Sequence, residues 1–359
     1  MIVHNWEPGV LETPLELLRQ HAITPKELLF VRNNQVPDGA LTMTPLPLKD
    51  WIVEMIGLVK YPQVILAEDL TRYEQVEVEM LLQCSGNGRS YYATSARTRG
   101  TQWGKGGLGN IRWGGVPLKL VVEALKLEVD PAARFITAEG KDAPVPGAAD
   151  FEHSLPLEDV LDRAILALRM NGEPIPAIHG GPVRLIIPGY YGTMNIKWLN
   201  RLRFGVQETN NYNHIPRYRT FNDPIQPGTN PPLTLNNSTP SWRQRIKSMI
   251  WSPLDGDSVP AGHLKVSGVA WNDGVVRIEG VELSIDDGGN WQQAQVSTSS
   301  SPYGWHLWES TVKLPSGRQE IWARAIDAAG RTQPLDGSIH WNPSGYEWSG
   351  VDKVKISVS

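Results

Sequence analysis

The sequence predicts an α+β part of mixed β-sheets and short helices over residues 1–245, followed by an all-β, immunoglobulin-like sandwich over residues 246–359. Two observations predict this. In the first part, short alternating apolar runs stand beside stretches of helical period: Val76, Val78 and Met80 alternate with Glu77 and Glu79, whereas Leu120, Val121, Ala124 and Leu125 follow a helical spacing. In the second part, strand patterns recur roughly every ten residues, broken by turns at Asp255–Gly256, Asn272–Gly274, Asp286–Gly289 and Pro315–Gly317. Val281, Leu283 and Ile285 alternate with polar neighbours there, and Trp271, Trp291, Trp305, Trp308, Trp322 and Trp341 punctuate the strands. With no disulfide to brace the sandwich, the tryptophans are expected to fill its core.

Composition narrows the function. A length of 359 residues, 40% of them apolar, supports two or three packed domains. A net charge of −4 excludes the basic footprint of a nucleic-acid binder. The single cysteine excludes an intrachain disulfide and a cysteine-based zinc or iron–sulfur site. No apolar run reaches the roughly 18 residues that a membrane span needs. The opening MIVHNWEPGVLE has no basic n-region or apolar h-region, so the chain as written reads as cytoplasmic, and as periplasmic if a leader has been trimmed.

Along the chain, Thr13, Pro14 and Glu16 predict an N-cap, a first-turn proline and a capping-box partner for a helix over Leu15–Gln20. LLFVRNNQVPDG at 28–39 predicts a strand ending at Arg32. Strands are expected over Trp51–Val59, Val64–Ala67 and Gln75–Met80. Gly104, Gly106 and Gly109 match GxGxxG, but no strand precedes them and no helix can follow, which excludes a dinucleotide fold and predicts a loop of close backbone approach. A helix is expected over Val116–Leu127, a loop-rich stretch over Asp130–Gly147, and a helix capped by Ser154 with an apolar face from Leu157 to Leu168. A strand over Val183–Ile187 follows, flanked by His179 and Arg184. Residues 205–245, rich in Asn, Pro and Arg, are an extended active-site segment or a linker; Tyr212, His214, Tyr218 and several arginines favour the former.

LLQCSGNGR at 81–89 places the only thiol, Cys84, where a strand opens into a glycine-bearing turn, with Arg89 five residues on. A lone cysteine is most often a small buried hydrophobe. A thiolate is also a strong ligand for a soft or high-valent metal. Arg32 alone is most simply a solvated strand end, and His179 alone a satisfied core histidine.

Four segments change that weighting. FVRNN at 30–34, LLQCSGNGR at 81–89, GTQWGKGGLGNIRWGGVPL at 100–118 and HGGPVRLIIPGYYGTMNIKWL at 179–199 resemble, in order, motifs of the sulfite oxidase family of molybdopterin oxidoreductases. The resemblance is to the family's haem-free bacterial-type members and implies a molybdopterin-binding domain followed by a dimerisation sandwich. It implies Cys84 as the protein thiolate on molybdenum. It implies Phe30, Val31, Arg32, Asn33, Asn34, Asp142, His179, Arg184, Asn195, Ile196 and Lys197 as the residues that hold the pterin and its phosphate. It implies Arg32, Arg89 and Tyr218 against a substrate oxyanion, Arg99 where the family has a lysine, and Trp103 at its nearby tryptophan. The implied cofactor is Mo-molybdopterin, with no haem in this chain. The implied reaction is oxidation of sulfite to sulfate by oxygen-atom transfer at a Mo-oxo centre, with electrons passed to an external acceptor such as a cytochrome. A homodimer is implied as well.

The chemistry of the residues agrees with that reading. A thiolate added to two dithiolene sulfurs suits a metal that cycles by two electrons. An oxyanion calls for the guanidinium fork, and a phosphate for cations and backbone N–H groups, which His179, Arg184 and Lys197 with their neighbouring glycines would provide. Two positions depart from the family pattern: Asn34 stands where a histidine is usual, and Ser344, in WNPSGYEW, where sulfite-oxidising members carry an arginine. Arg97, Arg99, Arg217 and Arg219 are the nearby candidates to supply that charge. The Ser344 departure motivates an alternative, reduction of nitrate or of another oxyanion or S-oxide on the same core. A non-enzyme alternative is a β-rich binding protein in which Cys84 is structural.

Overall fold

The computed structural model describes residues 1–142 and 149–359. Its first part is built on two five-stranded sheets and a small three-stranded one. One five-stranded sheet runs Glu173–Pro174, Ile165–Met170, Leu108–Pro117, Val76–Gln83, with Arg184–Ile186 also pairing Ile165–Met170. The other runs Gln63–Leu66, Ile52–Gly57, Leu199–Gly205, Phe135–Gly140, Glu152–Pro156. The three-stranded sheet joins Ile2–Asn5, Val10–Glu12 and Val31–Arg32. Helices are short: Leu15–Leu18, Leu118–Ala124 and Leu157–Arg163. None among the described residues is long and apolar enough to cross a membrane.

The largest core lies under the second of these sheets, where Val53, Met55, Ile136, Leu155, Leu185 and Leu202 are fully buried. The second part is a sandwich. A four-stranded sheet, Lys247–Ser252, Gly262–Trp271, His306–Leu314 and Gln295–Val296, faces a five-stranded one, Ser258–Val259, Asp352–Val358, Gly317–Asp327, Ile278–Ser284 and Gln292–Gln293. Val266, Val281, Ile321 and Val354 meet between them.

Several local expectations differ from the structure for physical reasons. Pro14 itself is the N-cap of Leu15–Leu18, and the Thr13 hydroxyl donates to the Leu28 carbonyl instead of capping. Ser154 lies in a strand, its hydroxyl against that of Thr137 at 2.7 Å. The helix it was expected to cap stops at Arg163, and Ile165–Met170 is a strand. That strand is buried on both faces, so its unbroken apolar run imitates the continuation of a helical face. The helix expected from Val116 starts at Leu118, because Val116 and Pro117 end the strand Leu108–Pro117. Within Asp130–Gly147, Phe135–Gly140 is a strand, and the part of that stretch beyond Asp142 lies outside the described residues. Ile285 lies just past its strand and is exposed.

The tryptophans go mostly to a seam rather than to the sandwich core. Only Trp308 packs between the two sheets. Trp251, Trp271 and Trp305 join Leu18, Leu81 and Leu108 in a cluster that binds the sandwich to the first part. Trp251 and Trp305 meet edge to face at 4.8 Å, and Trp271 Nε1 donates to Gln83 Oε1 at 3.0 Å. The Trp341 indole donates to the Ala96 carbonyl at 2.7 Å.

Gly104 to Gly107 form the expected loop of close approach. The Glu12 carboxylate accepts from the amides of Gly104, at 3.1 Å, and Gly106, at 2.9 Å. Gly109, Gly114 and Gly115, by contrast, sit inside the strand Leu108–Pro117, where the sequence suggested no strand. A Cβ on Gly115 would lie 2.2 Å from the Leu166 carbonyl oxygen and 2.6 Å from Ala167 Cα, both backbone atoms of the neighbouring strand. Gly115→Ala is therefore expected to destabilise the chain by about 1–3 kcal/mol or more, read as a lower melting temperature. An unchanged melting temperature would show that the sheet tolerates a side chain there.

Candidate active site

Cys84 directly follows the strand Val76–Gln83. Its amide donates to the Gly107 carbonyl at 2.8 Å, and its Sγ accepts from the Gly86 amide at 3.4 Å. Burial pushes the thiol pKa up; the charge of Arg89, the Gly86 amide and the charge of Arg32 oppose that rise. Two clefts meet at this sulfur. Arg32, Cys84 and Tyr218 line both. Among the described residues no group of three or more His, Cys, Asp or Glu is placed to hold a metal, so a metal here would take its protein ligand from the thiol.

The inner cleft, of about 620 Å³, is lined by Phe30, Asn33, Asn34, Asp142, His179, Arg184, Asn195 and Lys197. Lys197 Nζ donates to Asn33 Oδ1 at 2.6 Å and to the Ile178 carbonyl at 2.9 Å. Arg184 is buried, gives Nε to the Asn195 carbonyl and Nη1 to the His179 carbonyl, and lies over the Trp113 ring. Burial, then the charge of Arg184, hold Lys197 well below the ordinary lysine range, and Arg32 adds to this. Neither Arg184 nor Lys197 forms an ion pair among the described residues. Burial, followed by the charge of Lys197, pulls His179 down to about 3, so its ring is neutral. Its Nε2–H is taken by the Lys26 carbonyl at 2.8 Å. His179 thus offers a neutral Nδ1 where the sequence suggested a cation. Val31 and Ile196 are buried and do not line the cleft; Ile196 packs in the main core. Gln35, Phe151, Thr193 and Trp198 line it and carried no sequence signal of their own.

Among the described residues, the outer cleft, of about 1470 Å³, has no carboxylate on its lining and five arginines: Arg32, Arg89, Arg99, Arg217 and Arg219. Arg89 is buried in a cradle of glycines. A Cβ on Gly86, Gly100 or Gly345 would lie 2.6, 2.9 or 2.5 Å from its side chain. Its Nη1 donates to the Thr101 carbonyl at 2.7 Å, its Nε has no partner among the described residues, and its charge lies 5.3 Å from the centre of the Tyr346 ring. Arg99 stands at the rim, exposed, with its amide on the Pro343 carbonyl at 2.9 Å. Arg219 is neutralised by Glu208, which His214 also contacts. Trp103 is fully buried against Phe30. The far wall comes from the C-terminal part, with Asn342, Ser344 and Tyr346, and Tyr346 stacks on Tyr218 at 5.1 Å.

Asn34 joins the walls. Its Oδ1 accepts from Arg32 Nη2 at 2.8 Å and from Arg217 Nη2 at 2.9 Å, and its Nδ2 donates to the Tyr218 hydroxyl at 3.0 Å. Tyr218 has a positive φ of 53°. The segment 205–245 therefore forms a wall of the outer cleft and carries the hairpin of Arg219–Phe221 with Ser238–Pro240.

The arrangement suits two anions. A phosphate-sized group matches buried Arg184 and part-buried Lys197 of the inner cleft, neither ion-paired among the described residues, and a small oxyanion matches the arginines of the outer one, with a thiol between them.

Comparison with known proteins gives the family of the chain. A family model described as an oxidoreductase molybdopterin binding domain matches residues 41–213, and one described as a Mo-co oxidoreductase dimerisation domain matches residues 239–358. Sulfite oxidase of Gallus gallus is 31% identical over 352 residues, which cover 96% of this chain and 75% of that protein. Mitochondrial sulfite oxidase of Homo sapiens is 30% identical over 99% of this chain. The chain spans just under two thirds of the human protein's length, 66%, and 62% of that of the Drosophila melanogaster enzyme. Nitrate reductase of Hordeum vulgare is 31% identical over 97% of the chain, which spans 40% of that protein. Among solved structures, the sulfane dehydrogenase SoxCD of Paracoccus pantotrophus superposes with a TM-score of 0.79 at 26% identity, over 97% of this chain and 86% of that one.

Burial raises the Asp142 carboxyl from 3.8 to about 7, against the pull of Lys197. A raised carboxyl pKa costs the folded state nothing below pH 3.8 and an increasing amount up to about 7. In the ligand-free chain, Asp142→Asn is therefore expected to raise stability by on the order of 4 kcal/mol at pH 8. The gain should build between about pH 4 and 7 and vanish in more acid solution. Melting curves of both chains across that range check it, and a gain independent of pH would contradict it.

Proposed function

The chain belongs to the sulfite oxidase family of molybdopterin oxidoreductases, and from that premise we propose that it oxidises sulfite to sulfate, SO₃²⁻ + H₂O → SO₄²⁻ + 2H⁺ + 2e⁻. The observation that carries the reading is the outer cleft, lined by arginines and by no carboxylate, opening onto the one thiol of the chain.

The residues present fit the family's cofactor. Cys84 is the thiolate ligand to molybdenum. Lys197, part-buried, and Arg184, buried, would hold the pterin phosphate; neither is ion-paired among the described residues, and Asp142 is the carboxylate whose charge acts on Lys197. His179 would add a neutral nitrogen, and Asn33, Asn34, Asp142, Asn195 and Phe30 would border the pterin. When bound, the cofactor supplies a two-electron acceptor and the chemistry of oxygen-atom transfer.

The chain's own residues do the rest. Arg32 and Arg89 bind and orient the sulfite oxygens, and Arg99 at the rim draws the anion in. The glycine cradle holds the Arg89 guanidinium still, so little side-chain freedom is lost on binding. Tyr218, fixed by Asn34 and by the Tyr346 ring, directs its hydroxyl to the oxyanion. Electrons leave singly to an external acceptor of the cytochrome class. The dimerisation-domain match supports a homodimer.

Ser344 and the likeness to a nitrate reductase support a second reading, reduction of nitrate or another oxyanion at the same site.

The purified protein is expected to hold about one molybdenum per chain and to reduce cytochrome c or ferricyanide with sulfite. Cys84→Ser is expected to lose turnover by at least about 100-fold. Arg89→Gln is expected to raise the KM for sulfite by about 10- to 100-fold, the worth of a lost charged hydrogen bond. A fully metal-loaded sample without sulfite turnover would sink the proposal, and nitrate-dependent oxidation of a reduced viologen would move the second reading forward.

A further inference from the structure

We propose that Arg217 is the anion-binding arginine of the outer cleft's far wall. With Asn34, it makes the site selective for doubly charged oxyanions over singly charged ones. The inference rests on the oxyanion reading of that cleft.

Arg217 is not placed by chance. It and Tyr218 are adjacent in the chain, yet both line the outer cleft. Neighbouring side chains on an extended strand point to opposite sides. The positive φ of Tyr218, 53°, breaks that alternation just before the strand Arg219–Phe221 and turns both side chains to one cavity. A bulky residue adopts this backbone at a cost, and the Ser241 amide on the Tyr218 carbonyl, at 2.8 Å, helps to hold it there.

Once there, the guanidinium is fixed but not neutralised. Arg217 Nη1 donates to Asn213 Oδ1 at 2.8 Å and Nη2 to Asn34 Oδ1 at 2.9 Å. Its charge lies over the rings of Tyr218, at 5.2 Å, and Tyr212, at 5.8 Å. It contacts no carboxylate among the described residues. A guanidinium has five N–H donors, so donors remain for a ligand.

Asn34 is what lets two such groups share a wall. One amide oxygen accepts from both Arg32 and Arg217, at 2.8 and 2.9 Å. Two guanidinium groups drawn onto one neutral acceptor repel each other unless an anion lies against both. A group that could itself become cationic at position 34 would worsen that repulsion, whereas an amide accepts from both and still donates to the Tyr218 hydroxyl at 3.0 Å. Ser344 contributes no charge to this wall, and Arg219 is already engaged with Glu208. Arg217 is thus the arginine there whose charge is free to act on substrate, and a dianion gains more from the Arg32–Arg217 pair than a monoanion does.

The test uses metal-loaded enzyme, with sulfite as substrate and sulfate and nitrate as competing anions. In Arg217→Gln, the KM for sulfite and the inhibition constant for sulfate are expected to rise about 10- to 100-fold, and that for nitrate by about threefold or less. The kcat is expected to stay near that of the wild type, with unchanged metal content and absorption spectrum. Arg217→Lys keeps the charge without the fork and is expected to recover part of the sulfate affinity. Asn34→Asp places a carboxylate between the two guanidinium groups and is expected to weaken sulfate at least as much as Arg217→Gln does. Should Arg217→Gln lose its metal, the other two variants decide. If the wild type oxidises sulfite and is inhibited by sulfate, yet neither constant moves in these variants or nitrate moves equally, the role of Arg217 is refuted. If the wild type neither oxidises sulfite nor binds sulfate, the oxyanion reading itself falls.

Discussion

The structure depends on positive charge gathered around its two clefts and not ion-paired by protein, with Asp142 the carboxylate on the inner lining among the described residues. Lys197, Arg184 and Arg32 stand around the inner cleft, and Arg32, Arg89 and Arg217 around the outer one, and none has an ion-pair partner among the described residues. Burying unpaired charge is costly, and clustering like charges adds to the cost. Backbone carbonyls and side-chain amides bear part of it: Arg184 on Asn195 and His179, Lys197 on Ile178 and Asn33, Arg89 on Thr101. Such acceptors orient a cation without cancelling its charge. Bound anions would compensate more of that cost, and ligand binding would then be coupled to folding stability.

That positive interior needs a rigid frame, and the seam between the two parts supplies it. The Leu81 amide donates to the Tyr303 carbonyl at 2.8 Å, and Gln83 accepts from the Trp271 indole. The strand that delivers Cys84 is therefore tied to the sandwich along its last turn of sequence. The same sandwich sends Ser344 and Tyr346 back into the outer cleft, and the Glu347 amide bonds the Ser85 carbonyl at 2.7 Å. Arg245 and Glu347 add an ion pair at 2.8 Å. A boundary drawn at residue 245 from strand periodicity separates two cores, but not two functions, since substrate would touch both sides.

The sequence revealed the site better than it revealed the strands around it. Cys84, Arg32, Arg184 and Lys197 stand in short motifs whose local chemistry is distinctive, and all four line the clefts. The strand Leu108–Pro117 was hidden because of its glycines, of which Gly115 above all answers to a neighbour's backbone and not to its own propensity. The strand Ile165–Met170 was hidden because burial on both faces erases alternation. The charge state of His179 was misread because type and position do not reveal burial or the Lys26 carbonyl that takes its proton. Arg217 was one candidate among four, because its meaning comes from Asn34, 183 residues away in the chain. Signals carried by a few consecutive residues were legible, and those carried by one atom meeting a distant one were not.

The two clefts are also built differently, and this bears on what can change. Around the inner cleft the polar side chains are held by backbone groups: the Asn195 side chain alone bonds the Ile187 amide and the carbonyls of Tyr190 and Tyr191. Replacing any one of them disturbs a strand or turn of the main core. Around the outer cleft the contacts that set charge and shape run between side chains, Asn34 with Arg32, Arg217 and Tyr218, and Tyr218 with Tyr346, or come from the loop that carries Ser344. A substitution there alters the anion's surroundings without unfolding a strand. On the proposed reading, holding the cofactor would be a property of the fold, whereas the choice of oxyanion would rest on a few exchangeable side chains. One positively charged scaffold would then accept different oxyanions as arginine and amide positions trade places along its outer wall.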